Sequence, residues 1–469
     1  MLLDYLKSVR LRSPNVGVSQ TPDISLSLSA PTTNLDTIEQ TGLALVGLGT
    51  LALIVALFGA GSVYPAAFLV GGVGTMSVGA LLYFRKFLTK PEGINNDGLW
   101  MGTATAKGAL GWVLGIVFTG FYVLMYWFPA TLTHLVAIVD PISDFIGYPE
   151  GVDARRWVLY GTFYTIAVLV MGVRAIYKYR HVTYQIIRTI SVMFFQLVFA
   201  YLIPYGLVML NQPEFYFHYF WPLKYEYLWP GADNWLLTYM IVFGALMFFV
   251  GTPILTYFFG KRWYCSWVCG CGGLAETAGD PYRHLSDKSL KAWQVERWLI
   301  HGVLAATVLG TILLWIDTAT GGSILGSISQ PFRKWYGFLI GLIFAGVVGV
   351  GFYPIMGSRV WCRFGCPMAA VLGLQQRFFS RFRITTNGGQ CISCGNCSTY
   401  CEMGIDVRWY AQRGQNIIRA ACVGCGVCSA VCPRGVLKLE NGPQDGRYNG
   451  PVLFDRDDVV VLTDETWKA

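Results

Sequence analysis

Long apolar stretches, separated by short polar segments, occupy most of the chain. Residues 41–84 contain no charged residue, and this length allows two helices of about 20 residues joined by a turn near residues 59–65. The 157–173 stretch is short for a span, but Arg156 and Arg174 at its ends can extend their charges to the interfaces. The pattern therefore predicts eight membrane-spanning helices, the other six at about residues 108–127, 157–173, 189–210, 235–260, 298–315 and 335–353.

The composition also favours a membrane protein. Of the 469 residues, 54% are hydrophobic and 13% are charged, whereas an ordinary soluble domain has roughly 25% charged residues. The formal net charge is +8. Membrane proteins reach such a balance because lysine and arginine collect in their cytoplasmic loops, so the charge does not indicate nucleic-acid binding. Residues 1–40 are polar and lack the apolar segment of a cleavable signal peptide.

The loops differ in their content of lysine and arginine. Loops at residues 85–107, 174–188 and 261–297 hold fourteen of these residues, and the loops on the opposite side hold five. Because positively charged loops remain in the cytoplasm, this asymmetry predicts a multi-pass protein of the bacterial inner membrane with both termini in the cytoplasm.

The opposite side has one unusually aromatic loop, at residues 211–235. Tyrosine and tryptophan concentrate at the headgroup level of membranes, so the loop is predicted to form an aromatic belt. A docking surface for a periplasmic partner is the alternative.

The cysteines indicate metal ligation. All 13 lie at or beyond Cys265, and eight of them fall between Cys391 and Cys432. A secreted disulfide scaffold would be short, with its cysteines spread through the fold. The eight form two runs of identical spacing, Cys391-x2-Cys394-x2-Cys397-x3-Cys401 and Cys422-x2-Cys425-x2-Cys428-x3-Cys432-Pro433.

Each run supplies three thiolates on a tight loop, and its fourth cysteine reaches the other cluster. We therefore predict two 4Fe-4S clusters, with glycines 395, 424 and 426 allowing close approach of the backbone. Structural zinc is the alternative, but zinc ribbons use paired C-x2-C knuckles. The predicted ligands are Cys391, Cys394, Cys397 and Cys432 for cluster one, and Cys422, Cys425, Cys428 and Cys401 for cluster two.

A second cysteine pattern, G-x-R-x-[WY]-C-x3-C, occurs twice, each time just after an apolar stretch. On a helix this spacing places both sulfurs on one face, and the repeat suggests a pseudo-twofold arrangement that brings both pairs to one centre. Iron–sulfur and copper(I) both suit such soft ligands, and helix packing by small buried cysteines is the alternative. The pairs are Cys265 with Cys269 and Cys362 with Cys366, and Cys271 is a fifth candidate.

The two runs resemble bacterial two-cluster ferredoxins over about 45 residues, with Glu402 where that family often has proline. Residues 186–435, with both C-x3-C elements, resemble membrane polyferredoxins that accompany periplasmic nitrate and nitrous-oxide reductases (NapH-like, NosR-like) and oxidase copper handling (CcoG-like). Pro367 fits the second element of these proteins, whereas Gly270 replaces the expected proline in the first.

NosR-like proteins carry a covalent flavin on a periplasmic threonine motif. The nearest string here, residues 102–105, lies on the predicted cytoplasmic side, so we do not expect that flavin.

The predicted fold is an all-α polytopic membrane protein with a small α+β, ferredoxin-like two-cluster domain at the C-terminus. The predicted regions are a cytoplasmic segment (1–40), a four-helix membrane region (41–185), a four-helix membrane module with both C-x3-C elements (186–380), the ferredoxin domain (381–440) and a tail (441–469).

The predicted function is electron transfer between the clusters and the quinone pool or a membrane or periplasmic redox partner. The resemblance implies a hetero-oligomeric respiratory complex with a multihaem cytochrome or reductase subunit, and a quinone as a further cofactor. A copper-handling reductase or assembly factor is the alternative, and a membrane anchor whose clusters only stabilise the fold is a third hypothesis.

Overall fold

The computed structural model describes residues 35–88, 108–223 and 235–441, together with two short strands near the C-terminus. Within these residues, eight helices are long and apolar enough to cross a membrane, which confirms the number predicted from the sequence. They are α1 (Thr37–Val63), α2 (Pro65–Phe87), α3 (Ala109–Trp127), α4 (Val152–Lys178), α5 (Thr183–Met209), α6 (Thr238–Phe259), α9 (Leu290–Ala319) and α10 (Gly326–Val348).

Helices α1 and α2 form the predicted hairpin and pack closely through small residues. A Cβ atom added to Gly42 would lie 2.8 Å from the carbonyl oxygen of Gly79, and one added to Gly79 would lie 2.6 Å from that of Gly42. Within a membrane, such small residues let two helix backbones approach each other and gain van der Waals contact.

Helix α4 is longer than its apolar stretch, and its two arginine side chains are not placed as predicted. Arg156 donates a hydrogen bond to the backbone oxygen of Met125 at 3.0 Å. Arg174 is fully buried and forms an ion pair with Asp280 at 2.6 Å, so it does not extend to an interface. A buried guanidinium needs a carboxylate partner, and the sequence around Arg174 does not show which distant segment supplies it.

The aromatic loop folds into the protein, which differs from the predicted belt. Phe215 and Phe220 are 1% and 3% exposed, and Trp221 donates to Thr311 of α9 at 3.0 Å. The hydroxyl of Tyr264, outside the loop, donates to the backbone oxygen of His218. These rings bury more apolar area inside the helix bundle than they would at the level of the headgroups, and this burial stabilises the fold. The structure does not describe residues 224–234 of this loop. It does not describe residues 102–105 either, so the prediction that no flavin is attached there stays a prediction.

Short helices carry both C-x3-C elements, and neither element is one continuous helix. Cys265 lies in the first helix of its element, which ends before Cys269, and Cys269 has extended backbone angles. Cys362 and Cys366 repeat this arrangement. The prediction of two sulfurs on one helix face is therefore wrong. These short helices are α7 (Trp263–Trp267), α8 (Gly270–Glu276), α11 (Val360–Phe364) and α12 (Pro367–Phe379).

Along the chain, the two cysteine runs lie between two strands that pair as an antiparallel sheet. In this sheet Phe382 pairs with Asn441 and Thr386 with Leu437. Three short helices lie between the strands. The elements are β1 (Phe382–Thr386), α13 (Asn396–Thr399), α14 (Val407–Gln412), α15 (Val427–Ala430) and β2 (Leu437–Asn441), followed by the paired strands β3 (Val452–Phe454) and β4 (Val459–Val461). The domain boundaries listed above remain predictions.

A buried network of charged side chains joins these parts. Asp280 accepts from Arg174, from Lys178 at 3.0 Å and from Arg283 at 2.7 Å. Burial alone would raise the pKa of Asp280, but its three cationic neighbours outweigh burial and hold that pKa well below its usual value. The carboxylate is therefore ionised at neutral pH.

The same network continues to the ferredoxin domain through two further carboxylates. Glu402 pairs with Arg283 at 2.8 Å and with Arg359 at 3.1 Å. Glu276 pairs with Arg359 at 2.5 Å and with Arg188 of α5. Five cations thus surround three carboxylates, which leaves two positive charges in excess. Charged groups at this depth are stable only when they are paired, so the network fixes α4, α5, both C-x3-C elements and the ferredoxin domain relative to one another.

We predict that Glu402→Gln destabilises the protein strongly. The change leaves Arg283 and Arg359 less neutralised in a buried site, and loss of one partner from such a pair costs roughly 3–5 kcal/mol. Asp153→Asn is the matched control, because Asp153 also pairs with an arginine but its side chain is 86% exposed. Thermal unfolding in detergent should show a clearly lower Tm for Glu402→Gln alone. Equal melting temperatures would contradict the structural role of the network.

Candidate metal centres

Two similar cavities lie in the ferredoxin domain, and each is lined by cysteines from both runs. The first is small, with a volume of about 20 Å³. It brings together Cys391, Cys394, Cys397 and Cys432, the set predicted for cluster one. Arg408 and Arg434 also line it, and Cys394 is exposed. This cavity therefore lies near the surface.

The second cavity has the same volume, about 20 Å³, and brings together Cys401, Cys422, Cys425 and Cys428, the set predicted for cluster two. Its remaining lining is largely apolar and includes Ile384 and Ile417. In both cavities the fourth cysteine comes from the other run, as the spacing rule for two-cluster ferredoxins requires.

Left-handed backbone positions form the two loops. Gly395 and Gly426 have φ values of 84° and 72° and precede helices α13 and α15. Gly424 has φ 71°, and Ser393, at the equivalent position of the first run, has φ 61°. Glycine takes this conformation without steric cost, so the predicted role of the three glycines agrees with their geometry. The serine was not anticipated from the sequence.

Both cavities fit a cluster better than an ion. Among the residues that the structure describes, no group of three or more histidine, cysteine, aspartate or glutamate side chains could hold a single metal ion. A 4Fe-4S cluster is larger than an ion and separates its four thiolates, and four cysteines line each cavity.

The two C-x3-C elements come together with a pseudo-twofold relation. Arg262 of the first element donates to the backbone oxygen of Cys362 at 3.0 Å, and Arg359 of the second donates to that of Cys265 at 3.0 Å. The glycine that opens each element has a positive φ, 62° at Gly260 and 92° at Gly357. The repeat in sequence is thus also a repeat in structure.

This arrangement collects four buried thiols, Cys265, Cys269, Cys362 and Cys366, here called the cysteine tetrad. All six pairs among them are close enough to interact electrostatically. Burial raises the pKa of Cys366 well above its usual value. Arg359 also lies within 3.8 Å of the Cys362 sulfur, so a positive charge adjoins the tetrad.

Cys271 lies beside the tetrad. A hydrogen bond from its thiol lowers the pKa of Cys269 to about 7, and it is also hydrogen-bonded to Tyr219 from the infolded loop. The preceding Gly270, where a proline is expected, approaches α5 closely. A Cβ there would lie 2.9 Å from the Gln196 side-chain oxygen and 3.1 Å from the Tyr219 hydroxyl. Glycine at this position therefore leaves room for Gln196 and Tyr219, two contacts that the sequence does not reveal.

The membrane module holds the second cysteine run by its backbone. Seven carbonyl groups between residues 417 and 425 accept hydrogen bonds from buried or partly buried side chains of α5, of the first C-x3-C element and of α12. Ser266 donates to Val423 at 2.9 Å, which joins the residue after Cys265 to the residue after Cys422. The other donors and acceptors are Lys261 with Ile417, Arg262 with Ala420, Gln376 with Arg419, Ala420 and Cys422, Tyr184 with Gly424, and Gln185 with Cys425.

Two families of iron–sulfur proteins match the C-terminal half of the chain. Residues 241–289 and 326–385, which include the whole tetrad, match the family described as "4Fe-4S binding domain". Residues 383–433 match the "4Fe-4S dicluster domain". The chain carries 4Fe-4S ferredoxin-type domains.

Curated relatives are similar to part of the chain. YccM of Escherichia coli K12, named as an electron transport protein, is 28% identical over 201 residues, which are 38% of this chain and 55% of YccM. The methylamine utilization ferredoxin-type protein MauN is 29% identical over 160 residues in Methylobacillus flagellatus and 28% over 166 residues in Paracoccus denitrificans, in each case 32% of this chain and 53% of MauN. The chain thus spans about half the length of the curated relatives it matches. No solved structure matches it significantly.

Several residues around the sites were not found from the sequence. In the sequence Glu402 stands out only because it replaces a proline of the two-cluster ferredoxins, yet it is 1% exposed and pairs with two arginines. Its charge, next to Cys401, is the available signal. Tyr219 gives no such signal, because its approach to the first C-x3-C element depends on how the loop folds onto the helices.

We predict that Gly424→Ala lowers the Tm of the protein more than Gly395→Ala does. Both changes place alanine at a positive φ, which costs roughly 1–2 kcal/mol. A Cβ at residue 424 would also lie 2.8 Å from the Cβ of Lys261, whereas at residue 395 the nearest atom is 3.8 Å away. Equal losses of Tm in the two variants would contradict tight packing of the second run against the membrane module.

Proposed function

We propose that this chain transfers electrons across the junction between a membrane-embedded helix bundle and a ferredoxin domain, through three iron–sulfur sites. Two are the ferredoxin sites with the ligand sets given above. The third is the cysteine tetrad, which we propose holds a further 4Fe-4S cluster.

The assignment of the tetrad rests on its donor set and its surroundings. Four buried thiols come together from two repeated elements. The nearby charge network has two positive charges in excess, which suits a site where cysteines are deprotonated as metal ligands. The tetrad also lies within the residues that match a 4Fe-4S binding family.

The hydrogen bond from Ser266 to Val423 is the observation that carries the proposed route. It ties the side chain of the residue after Cys265 to the backbone of the second run, so the second cavity is the inner of the two ferredoxin sites. Cys394 in the first cavity is exposed, which makes that cavity the outer site. The resulting order is first cavity, second cavity, tetrad.

When bound, the clusters would supply one-electron redox chemistry. The chain holds the ligands, excludes water and tunes the sites by charge. Arg359 and Arg262 hold the two C-x3-C backbones together, and Arg359 adds a positive charge at Cys362. Arg408 and Arg434 give the outer site a basic rim, which favours an acidic partner.

We further propose that electrons exchange at the tetrad with the quinone pool or with a membrane or periplasmic redox subunit of a respiratory complex. The asymmetry of lysine and arginine supports a cytoplasmic ferredoxin domain and a bacterial inner-membrane location. Relatives named for electron transport and ferredoxin-type roles support the general function.

The crossed ligand sets can be tested with four serine variants in anaerobically purified protein. We expect Cys391→Ser and Cys432→Ser to alter the same cluster signal in electron paramagnetic resonance. Cys401→Ser and Cys422→Ser should alter the other signal. If Cys432→Ser instead matched Cys422→Ser, each run would ligate its own cluster and the crossed assignment would be wrong.

The proposed route predicts that the tetrad is needed for electron transfer into the membrane. With the protein in lipid vesicles, reduced methyl viologen would be supplied to the ferredoxin side and reduction of decylubiquinone followed. Cys362→Ser should reduce this rate to background while both ferredoxin signals remain. Phe145→Ser is the control, because Phe145 is 77% exposed and lies outside all three sites, and it should keep a rate close to the wild type. A wild-type rate in Cys362→Ser would show that the tetrad is not on the route.

A further inference from the structure

A large apolar cavity lies beside α11, the short helix that carries Cys362 of the tetrad. Its volume is about 640 Å³, within the range of about 300–1,000 Å³ that small-molecule sites occupy. Val295, Leu299 and Val303 of α9 line one side, and Phe344 and Val348 of α10 line another. Val295, Leu299 and Phe344 are themselves exposed, so the cavity opens on the apolar surface of the bundle.

The polar groups of this cavity are confined to one end. That end is formed by the segment from Leu285 to Lys291 and by α11 with the residue before it, Arg359. The ring of Trp361 in α11 stacks on Phe344 with centroids 5.9 Å apart and an interplanar angle of 4°. The cavity thus combines an apolar channel with a polar and aromatic end, as an amphipathic ligand requires.

Arg363 supplies an unused hydrogen-bond donor at this end. Its side chain is 3% exposed. Its Nε donates to Glu296 at 2.7 Å and its Nη1 to the backbone oxygen of Asp287 at 2.6 Å. Its Nη2 is buried and has no hydrogen-bond partner among the residues that the structure describes. An unpaired buried donor is costly, and a ligand with an acceptor atom would remove that cost.

The charge balance at Arg363 indicates the kind of acceptor. Glu296, which is also buried, already compensates the guanidinium charge. The other buried arginine of the lining, Arg359, is paired with Glu276 and Glu402. Lys291 and Asp287, which also line this end, carry opposite charges. The deep end therefore offers N–H donors with little net charge, which suits a neutral carbonyl oxygen better than a phosphate.

The cavity is also next to a proposed redox site. Trp361 and Arg363 line it, and the residue between them, Cys362, belongs to the tetrad. One helix of five residues, α11, thus contributes side chains to both sites.

We propose that this cavity binds a lipid-soluble quinone, with a ring carbonyl accepting a hydrogen bond from Arg363 and the isoprenoid tail lying along α9 and α10. This inference rests on the proposed electron-transfer function and identifies where the quinone binds. Reduction of one quinone takes two electrons, delivered one at a time through the tetrad, and two protons from water at the membrane surface, and yields one quinol. The reverse reaction returns both electrons and both protons.

Binding can be tested without turnover by photoaffinity labelling. A photoactivatable azidoquinone would be cross-linked to the protein in vesicles of phosphatidylethanolamine, and the labelled peptides identified by mass spectrometry. Labelling is expected within residues 290–303 or 344–365. Decylubiquinone should compete for it, and phosphatidylglycerol should not.

Two variants and one control make the result specific. Val303→Trp fills the cavity and should reduce labelling at least about tenfold. Leu309→Trp, on the same helix but outside the cavity lining and 61% exposed, should label as the wild type does. Arg363→Lys, which loses the Nη2 donor, should weaken competition by decylubiquinone about tenfold.

Cluster signals recorded for every variant separate loss of the site from loss of the fold. Equal labelling in Val303→Trp and wild type would overturn the proposal, and displacement by phosphatidylglycerol would identify a lipid site instead. If the cavity is labelled but viologen-reduced protein never reduces decylubiquinone, the proposed electron transfer fails while the binding site stands. The opposite result, reduction without labelling, places the quinone elsewhere.

Discussion

The buried ion network around Asp280, Glu276 and Glu402 is the constraint on which the rest of the structure depends. Each carboxylate is held by arginines or lysines from different parts of the chain. Taking so many charges out of water is unfavourable unless every one is paired. The network therefore specifies one arrangement of α4, α5, the two C-x3-C elements and the ferredoxin domain, and the proposed electron route requires such a fixed arrangement.

The network also changes the place of the N-terminal helices in the protein. The sequence offers no evident redox ligand in residues 41–177, which suggests a role in anchoring or docking. In the structure α4 contributes Arg174 and Lys178 to the network. Tyr164 of the same helix is near enough to Cys271 to interact with it electrostatically. Helix α4 therefore forms part of the surroundings of the first C-x3-C element.

Much of the architecture could be predicted from local patterns. Eight apolar stretches, two cysteine runs and one repeated element are each visible within a short window of sequence. Contacts between distant segments could not be predicted in this way. The buried pair of Arg174 with Asp280 spans 106 positions, and nothing near either residue identifies its partner. The C-x3-C elements also differ from the helical expectation, because Cys269 and Cys366 adopt extended backbone where one short helix gives way to the next.

The iron content of anaerobically purified protein tests the central claim, three iron–sulfur sites in one chain, most directly. Iron, copper, zinc and acid-labile sulfide would be measured per polypeptide by elemental analysis and sulfide assay. Three 4Fe-4S sites predict about twelve iron and about twelve sulfide per chain, with neither copper nor zinc in stoichiometric amount. About eight iron together with one copper would contradict the account of the tetrad. Zinc without acid-labile sulfide would contradict all three sites.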